Sequence, residues 1–226
     1  MQSLIFLHGF LGCPDDWDEV ISHLPQFHCT PIAIPQEGAI VEQLRHHIRT
    51  AFPQKPHCIG YSMGGRIALQ LTDLCASTTA LSAHPGLKGA KEREQRWLLD
   101  TIWIDQLRTL PFDLFLERWY AQPLFASLHN KPDLLQKIMS RRIHQNPERL
   151  ASMLEQLSLA KQPLVSPAVL SSTCFVFGEE DWKYRALCDK LAFVKMIPHA
   201  GHAIHLEKPA ECAHTIKEVI DAHTRK

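Results

Sequence analysis

A serine flanked by glycines is the feature of this sequence that most directly indicates chemistry. Residues 60–64, Gly-Tyr-Ser-Met-Gly, fit the pattern Gly-x-Ser-x-Gly. A strand is predicted before this segment and a helix after it, so the serine lies on a sharp strand-to-helix turn. Side chains at the flanking glycine positions would clash in such a turn. The turn exposes the serine hydroxyl at the carboxyl edge of a sheet, and we therefore predict that Ser62 is a catalytic serine.

An acidic loop follows a later predicted strand. In folds with this serine turn, the acid and then the histidine of the catalytic triad come after the serine in the chain. The strand predicted over residues 173–177 is followed by Gly-Glu-Glu-Asp. Asp181 is predicted to be the acid that orients the histidine, and Glu179 and Glu180 are the alternatives.

The last predicted strand, residues 193–197, is followed by a histidine-rich loop. The loop, residues 198–202, has the sequence Pro-His-Ala-Gly-His. A catalytic base needs a loop tip from which it can reach the serine, and Gly-His provides one. His202 is therefore the predicted base, with His199 and His205 as competitors.

The loop after the first strand is expected to stabilise negative charge. His8-Gly9-Phe10 follows the short apolar run Ser3 to Leu7. In this type of fold, one backbone N–H of the oxyanion hole comes from that loop and the other from the residue after the serine. Phe10 and Met63 are therefore the predicted donors.

Strands and helices alternate along the chain, which predicts a mostly parallel sheet flanked by helices. Residues 88–165 are the exception, because no strand is predicted there and prolines 111, 123, 132 and 147 divide the segment into several helices. We expect an α/β core formed by residues 1–87 and 166–226, with residues 88–165 inserted as a helical cap.

The composition indicates which kinds of binding partner the protein is expected to have. Lys plus Arg and Asp plus Glu both number 24, so bulk charge gives no indication of a nucleic-acid or membrane partner. The chain has no predicted signal peptide or membrane-spanning run. Seven scattered cysteines form no Cys-x-x-Cys pair. We expect a cytoplasmic protein with a small-molecule substrate and with neither metal nor organic cofactor.

These motifs resemble those of the 2-succinyl-6-hydroxy-2,4-cyclohexadiene-1-carboxylate (SHCHC) synthases of menaquinone biosynthesis, which have the α/β-hydrolase fold. The resemblance covers nearly the whole chain. It rests on the opening Leu-His-Gly-Phe-Leu-Gly at 7–12 and on the continuation of the serine turn to Arg66. It is most specific in the cap, at His84 to Leu87, Arg93, Arg96, Trp119-Tyr120, Gln122-Pro123 and Phe125 to Leu128.

The resemblance implies a set of site residues. It implies the triad Ser62, Asp181 and His202, and a set of substrate-binding residues: Tyr61, Arg66, Arg96, Trp119 and Arg142. Arg141 is the alternative to Arg142, and Arg93 is expected on a solvated helix face. The implied substrate carries three carboxylates, which guanidinium groups bind with paired hydrogen bonds of fixed geometry.

The sequence also departs from the family. Its members commonly have Asp-Leu-Pro-Gly-His-Gly after the second strand, where this chain has Ile-Pro-Gln-Glu-Gly at 34–38. We therefore expect one wall of the pocket to differ. The chain begins directly at the first strand of the motif, which predicts a trimmed sheet of six or seven strands.

Three functions compete. The first is a lyase that eliminates pyruvate from 2-succinyl-5-enolpyruvyl-6-hydroxy-3-cyclohexene-1-carboxylate to give SHCHC. The second is a carboxylesterase or thioesterase acting through an acyl-enzyme, such as a pimeloyl-carrier methyl esterase. The third is a binding protein without catalysis, which would be expected to have lost a triad residue. The predicted arginines favour the lyase.

Overall fold

A parallel β-sheet organises the protein. The computed structural model describes residues 1–225, so residue 226 of the predicted core range 166–226 lies outside the described residues. Within them the sheet has six strands in the order β2-β1-β3-β4-β5-β6, and all neighbours are parallel. The strands are β1 (Ser3–Leu7), β2 (His28–Ile32), β3 (His57–Tyr61), β4 (Ser77–Leu81), β5 (Thr173–Gly178) and β6 (Val194–Ile197).

Helices cover both faces of this sheet, as predicted. They are α1 (Asp18–Ser22), α2 (Ile40–Ala51), α3 (Met63–Ala68), α4 (Ala90–Thr109), α5 (Phe112–Tyr120), α6 (Ala126–His129), α7 (Pro132–Arg142), α8 (Pro147–Gln156), α9 (Pro167–Ser172), α10 (Trp182–Arg185), α11 (Ile204–Glu207) and α12 (Pro209–Thr224). No helix of the described residues has the length and apolar character needed to cross a membrane.

Strand β1 illustrates why the sheet is buried on both sides. Successive side chains of a strand point to opposite faces. Leu4 and Phe6 pack into one apolar core. Ile5 and Leu7, on the other face, pack into a second core. A run without polar residues is therefore what this central strand requires.

The four prolines of the 88–165 segment divide it as predicted. Pro123, Pro132 and Pro147 begin helical segments, and Pro111 precedes the first residue of α5. Proline is tolerated at a helix start because the N–H that it lacks has no intrahelical acceptor there. Helices α4 to α9 thus lie between β4 and β5, and α4 to α8 fall within residues 88–165. The division of the chain into a core and an inserted cap stays a prediction.

The sequence predicts one helix from Met63 to Leu74 and a last helix from Glu207 to about Ala222, and in both the structure differs. The helix expected from Met63 to Leu74 ends at Ala68, because the N–H groups of residues 70 and 71 donate to carbonyls three residues back, at 2.8 and 3.0 Å. Such bonds tighten the last turn into 3₁₀ geometry. The helix expected from Glu207 begins instead at Pro209, after the separate short helix α11.

The sheet brings the predicted site residues to one edge. In parallel strands all carboxyl ends lie on the same side, and ligands bind there where the strand order reverses. The order reverses between β1 and β3. Phe10 follows β1 and Ser62 follows β3, so these two residues flank the reversal.

Candidate active site

Ser62 lies on a strained turn between β3 and α3. Its φ of 50° is in the left-handed region, which non-glycine residues rarely adopt. Glycine is required on both sides, because a Cβ at Gly60 would meet the backbone of Gly64, and a Cβ at Gly64 would meet the backbone of Leu7. The strain and the close packing hold the serine hydroxyl in one position.

The three predicted triad residues form one hydrogen-bonded chain. The distance from Ser62 Oγ to His202 Nε2 is 3.2 Å, and that from His202 Nδ1 to Asp181 Oδ2 is 2.7 Å. The side chains of Asp181 and His202 are each 1% exposed. With the Nδ1 proton donated to Asp181, Nε2 is free to accept the proton of the serine hydroxyl.

The competing acids and bases lie elsewhere. Glu179 and Glu180 are exposed, and Glu179 accepts the backbone N–H of His199 at 3.3 Å. His199 is itself exposed. His205 is fully buried, and neither of its ring nitrogens has a hydrogen-bond partner within residues 1–225. Among the candidates, the structure brings Asp181 and His202 together with Ser62.

Two backbone N–H groups are available beside the serine. Met63 is the first residue of α3, so its N–H has no intrahelical acceptor. The N–H of Phe10 makes no hydrogen bond within residues 1–225. Both residues line the same cavity as Ser62. The role of these two N–H groups as the oxyanion hole stays a prediction.

The cavity over Ser62 has a volume of about 350 Å³. Ligand pockets typically have volumes of about 300–1,000 Å³, so this cavity is large enough for a small molecule. All ten predicted site residues except the buried Asp181 line it: Phe10, Tyr61, Ser62, Met63, Arg66, Arg96, Trp119, Arg142 and His202. Residues 34–38, which we expected to shape one wall, are not among the lining residues.

Arg96 is held by a carboxylate one turn away on α4. Its Nε lies 2.9 Å from both carboxylate oxygens of Asp100. The hydroxyl of Ser158 donates to the same carboxylate at 2.6 Å. The Arg96 side chain remains 25% exposed, so the guanidinium still reaches the cavity.

Arg66 lies at the cavity wall without an acidic partner. Its Nη1 donates to the carbonyl of Leu157 at 2.7 Å, and within residues 1–225 it makes no ion pair. Burial and the positive charge of Arg96 lower the pKa of Arg66 to about 10. Both effects disfavour the protonated form of Arg66, so an anion bound beside the guanidinium would stabilise that form.

Arg142, rather than its neighbour Arg141, lines the cavity. It forms an ion pair of 2.5 Å with Asp16, and both side chains are 3% exposed. Burial acts to raise the pKa of the Asp16 carboxyl, but the charge and hydrogen bond of Arg142 outweigh it and hold that pKa below its usual value. Arg141 does not line the cavity; its Nη1 donates to the carbonyl of Asp15 at 3.1 Å and lies 3.7 Å from Asp16 Oδ1.

Known proteins share this architecture. The model of the alpha/beta hydrolase family matches residues 4–215. The SHCHC synthases of Escherichia coli O139:H28 (strain E24377A / ETEC) and of Shigella dysenteriae serotype 1 (strain Sd197) are each 34% identical to this chain, over 96% of it and 93% of their own length. This chain belongs to the SHCHC synthase family of α/β hydrolases. The resemblance predicted from the sequence is thereby confirmed.

Solved structures agree on the fold of this family member. MenH from S. aureus has a TM-score of 0.89 at 24% identity, covering 99% of this chain and 94% of its own. A thermophilic esterase from Thermogutta terrifontis, in a malate-bound structure, has a TM-score of 0.78 at 19% identity, covering 99% and 90%. The predicted α/β-hydrolase fold is confirmed.

Aromatic residues line the cavity, and some of them pack against the base. Tyr61 lies 5.4 Å from the His202 ring, and Trp119 lies 5.0 Å from Phe10, as measured between ring centroids. Sequence reasoning missed Trp103 and Tyr184, which also line the cavity and pack against Trp119 and His202 respectively.

Two charged residues correct or extend the prediction. Arg93 does not lie on a solvated face, because its Nη1 donates to the carbonyls of Ala160 and Gln162 at 2.7 and 2.9 Å. The sequence placed Arg93 on a helix but gave no sign of the loop that folds back against it. Lys183 lines the cavity and was missed, although it lies only two residues after the predicted acid.

Proposed function

We propose that this enzyme eliminates pyruvate from 2-succinyl-5-enolpyruvyl-6-hydroxy-3-cyclohexene-1-carboxylate, giving SHCHC in menaquinone biosynthesis. One observation carries the proposal. The Ser62–His202–Asp181 chain opens into a cavity whose walls contain Arg66, Arg96 and Arg142. A base facing several guanidinium groups suits a substrate with three carboxylates.

In the proposed reaction Ser62 acts as a base. His202, oriented by Asp181, removes the proton of the serine hydroxyl, and the serine oxygen removes the ring proton beside the succinyl carbonyl. The electron pair moves onto the carbonyl oxygen, where the N–H groups of Phe10 and Met63 stabilise the charge. It then returns through the ring double bond and breaks the ring C–O bond to the enolpyruvyl group. His202 then gives its proton to the released enolate, which becomes pyruvate, and Ser62 and His202 return to their starting protonation states.

The test is pyruvate release from the enolpyruvyl substrate, measured beside hydrolysis of short p-nitrophenyl esters. We expect rapid pyruvate release by the wild type. Ser62→Ala should lower it by about a thousandfold or more, because the base is removed. Gln2→Ala, an exposed change far from the cavity, is the control. Fast ester turnover without pyruvate would reject the lyase and favour the acyl-enzyme alternative.

A further inference from the structure

The positive charges of the cavity are unequally compensated. Arg96 is paired with Asp100, and Arg142 is paired with Asp16. Two cations of the cavity, Arg66 and Lys183, make no ion pair within residues 1–225. The uncompensated positive charge therefore resides on a buried arginine and on a lysine that no motif identified.

Lys183 occupies a position from which it can meet a ligand. It lies on α10, directly after the loop that carries Asp181, and it lines the same cavity as Ser62 and Arg96. Part of the residue is exposed, and within residues 1–225 its side chain makes neither a hydrogen bond nor an ion pair. An ammonium group has three donors and no acceptor. All three are thus available to a ligand in the cavity.

Charged groups from two sides act on this ammonium. Partial burial and the positive charge of Arg96 on α4 lower the pKa of Lys183, whereas Asp181 and Asp100 raise it less. The positive charges of Arg66, Arg96 and Lys183 also help to lower the pKa of His84. The net effect is that Lys183 sits among repelling charges which an anion would neutralise.

We propose that Lys183 binds a carboxylate of the substrate and, with Arg66, sets the selectivity of the cavity for polycarboxylates. The identity of that substrate rests on the proposed function. Arg96 and Arg142 already have acidic partners, so they contribute shape and donors but little net charge. Lys183, on α10, contributes a compact positive charge on a flexible side chain to one wall of the cavity.

The direct test uses tricarballylate, an unreactive tricarboxylate, with binding measured by calorimetry at constant ionic strength. We expect Lys183→Met to raise its Kd by about 10- to 100-fold, the loss of one charge-assisted hydrogen bond. Lys183→Arg should restore most of the affinity. Arg185→Met removes a cation from the same helix outside the cavity and should change Kd less than about twofold.

A pH series separates binding from a structural role. Because the pKa of Lys183 is lowered, the wild type should lose affinity for tricarballylate as pH rises towards that value, and Lys183→Arg should lose it less. Equal effects of Lys183→Met and Arg185→Met, identical pH profiles, or no binding of tricarballylate to the wild type would overturn the proposal.

The pyruvate assay distinguishes this inference from the proposed function. If both hold, Lys183→Met raises KM by a similar factor and leaves kcat within about threefold. Lys183-dependent binding of tricarballylate without pyruvate release would reject the proposed reaction alone. Pyruvate release that is unchanged in Lys183→Met would reject this inference alone.

Discussion

At the scale of single residues, the predicted binding arginines are held in place by the protein itself. Asp100 holds Arg96, Asp16 holds Arg142, and the carbonyl of Leu157 holds Arg66. A fixed guanidinium loses little conformational entropy when a carboxylate binds. The acidic partners also reduce the net charge, so each arginine has both a structural and a binding role that mutation must separate.

Arg96 offers a way to separate these roles. Arg96→Met should lower kcat/KM for pyruvate release by about 10- to 100-fold and leave ester hydrolysis nearly unchanged. It should also destabilise the fold by about 1–3 kcal/mol, because the buried Asp100 carboxylate then keeps only the Ser158 hydroxyl as a donor. The double variant Arg96→Met/Asp100→Asn should regain stability in urea unfolding but not kcat/KM. Recovery of both would make Arg96 a structural residue.

At the scale of elements, one buried carboxylate joins the histidine loop to the segment between β4 and β5. Glu207, at the end of α11, accepts the backbone N–H groups of Gly201 and Ala203, at 3.1 and 3.2 Å. It also accepts the hydroxyl of Ser127 at 3.0 Å and pairs with Lys131 at 3.1 Å. These bonds fix the backbone on both sides of the catalytic histidine.

Glu207→Ala should therefore affect both stability and catalysis. The side chain is fully buried, so its loss leaves two N–H groups and a lysine without their acceptor. We expect unfolding in urea to require about 3–5 kcal/mol less, and kcat for pyruvate release to fall because the His202 loop is released. Glu211→Ala, an exposed acid on α12, should cost under about 0.5 kcal/mol. Similar losses in the two variants would contradict this role.

The elements also show what the sequence can and cannot predict. The strands, the serine turn and the order Ser62, Asp181, His202 follow from local patterns, since each residue lies in the segment that follows a predicted strand. Pairings between distant positions cannot be predicted from local patterns. Asp16 and Arg142 are 126 positions apart, and no local pattern links them. The roles of Lys183 and Glu207 were not predicted for the same reason, because they depend on the residues that the fold places opposite them.

At the scale of the whole molecule, buried neutral histidines tie the stability of the fold to pH. His205 packs between Tyr61 and Trp17, with ring centroids at 4.2 and 4.7 Å. Burial lowers its pKa to about 3. Burial also lowers the pKa of His84, to about 4. In the unfolded chain a histidine has a pKa of about 6.5.

The sign of the resulting pH dependence follows from these values. Between about pH 6.5 and pH 3, the unfolded chain binds a proton at His205 that the folded protein does not. The free energy of unfolding must therefore fall as pH decreases through this window, by up to about 1.4 kcal/mol per pH unit for this residue. Above about pH 6.5 the contribution of His205 is constant.

His205→Phe isolates this contribution. Phenylalanine preserves the aromatic packing and takes up no proton, so the slope of unfolding free energy against pH should be shallower than in the wild type. At pH 7 the variant should be about as stable, because replacing an unpaired buried polar ring by an apolar one of similar shape is nearly neutral. Urea unfolding between pH 4 and 7 measures both quantities, with exposed His46→Phe as the control. If the two slopes coincide, His205 accepts a proton in the folded protein, and the acid sensitivity must come from other groups.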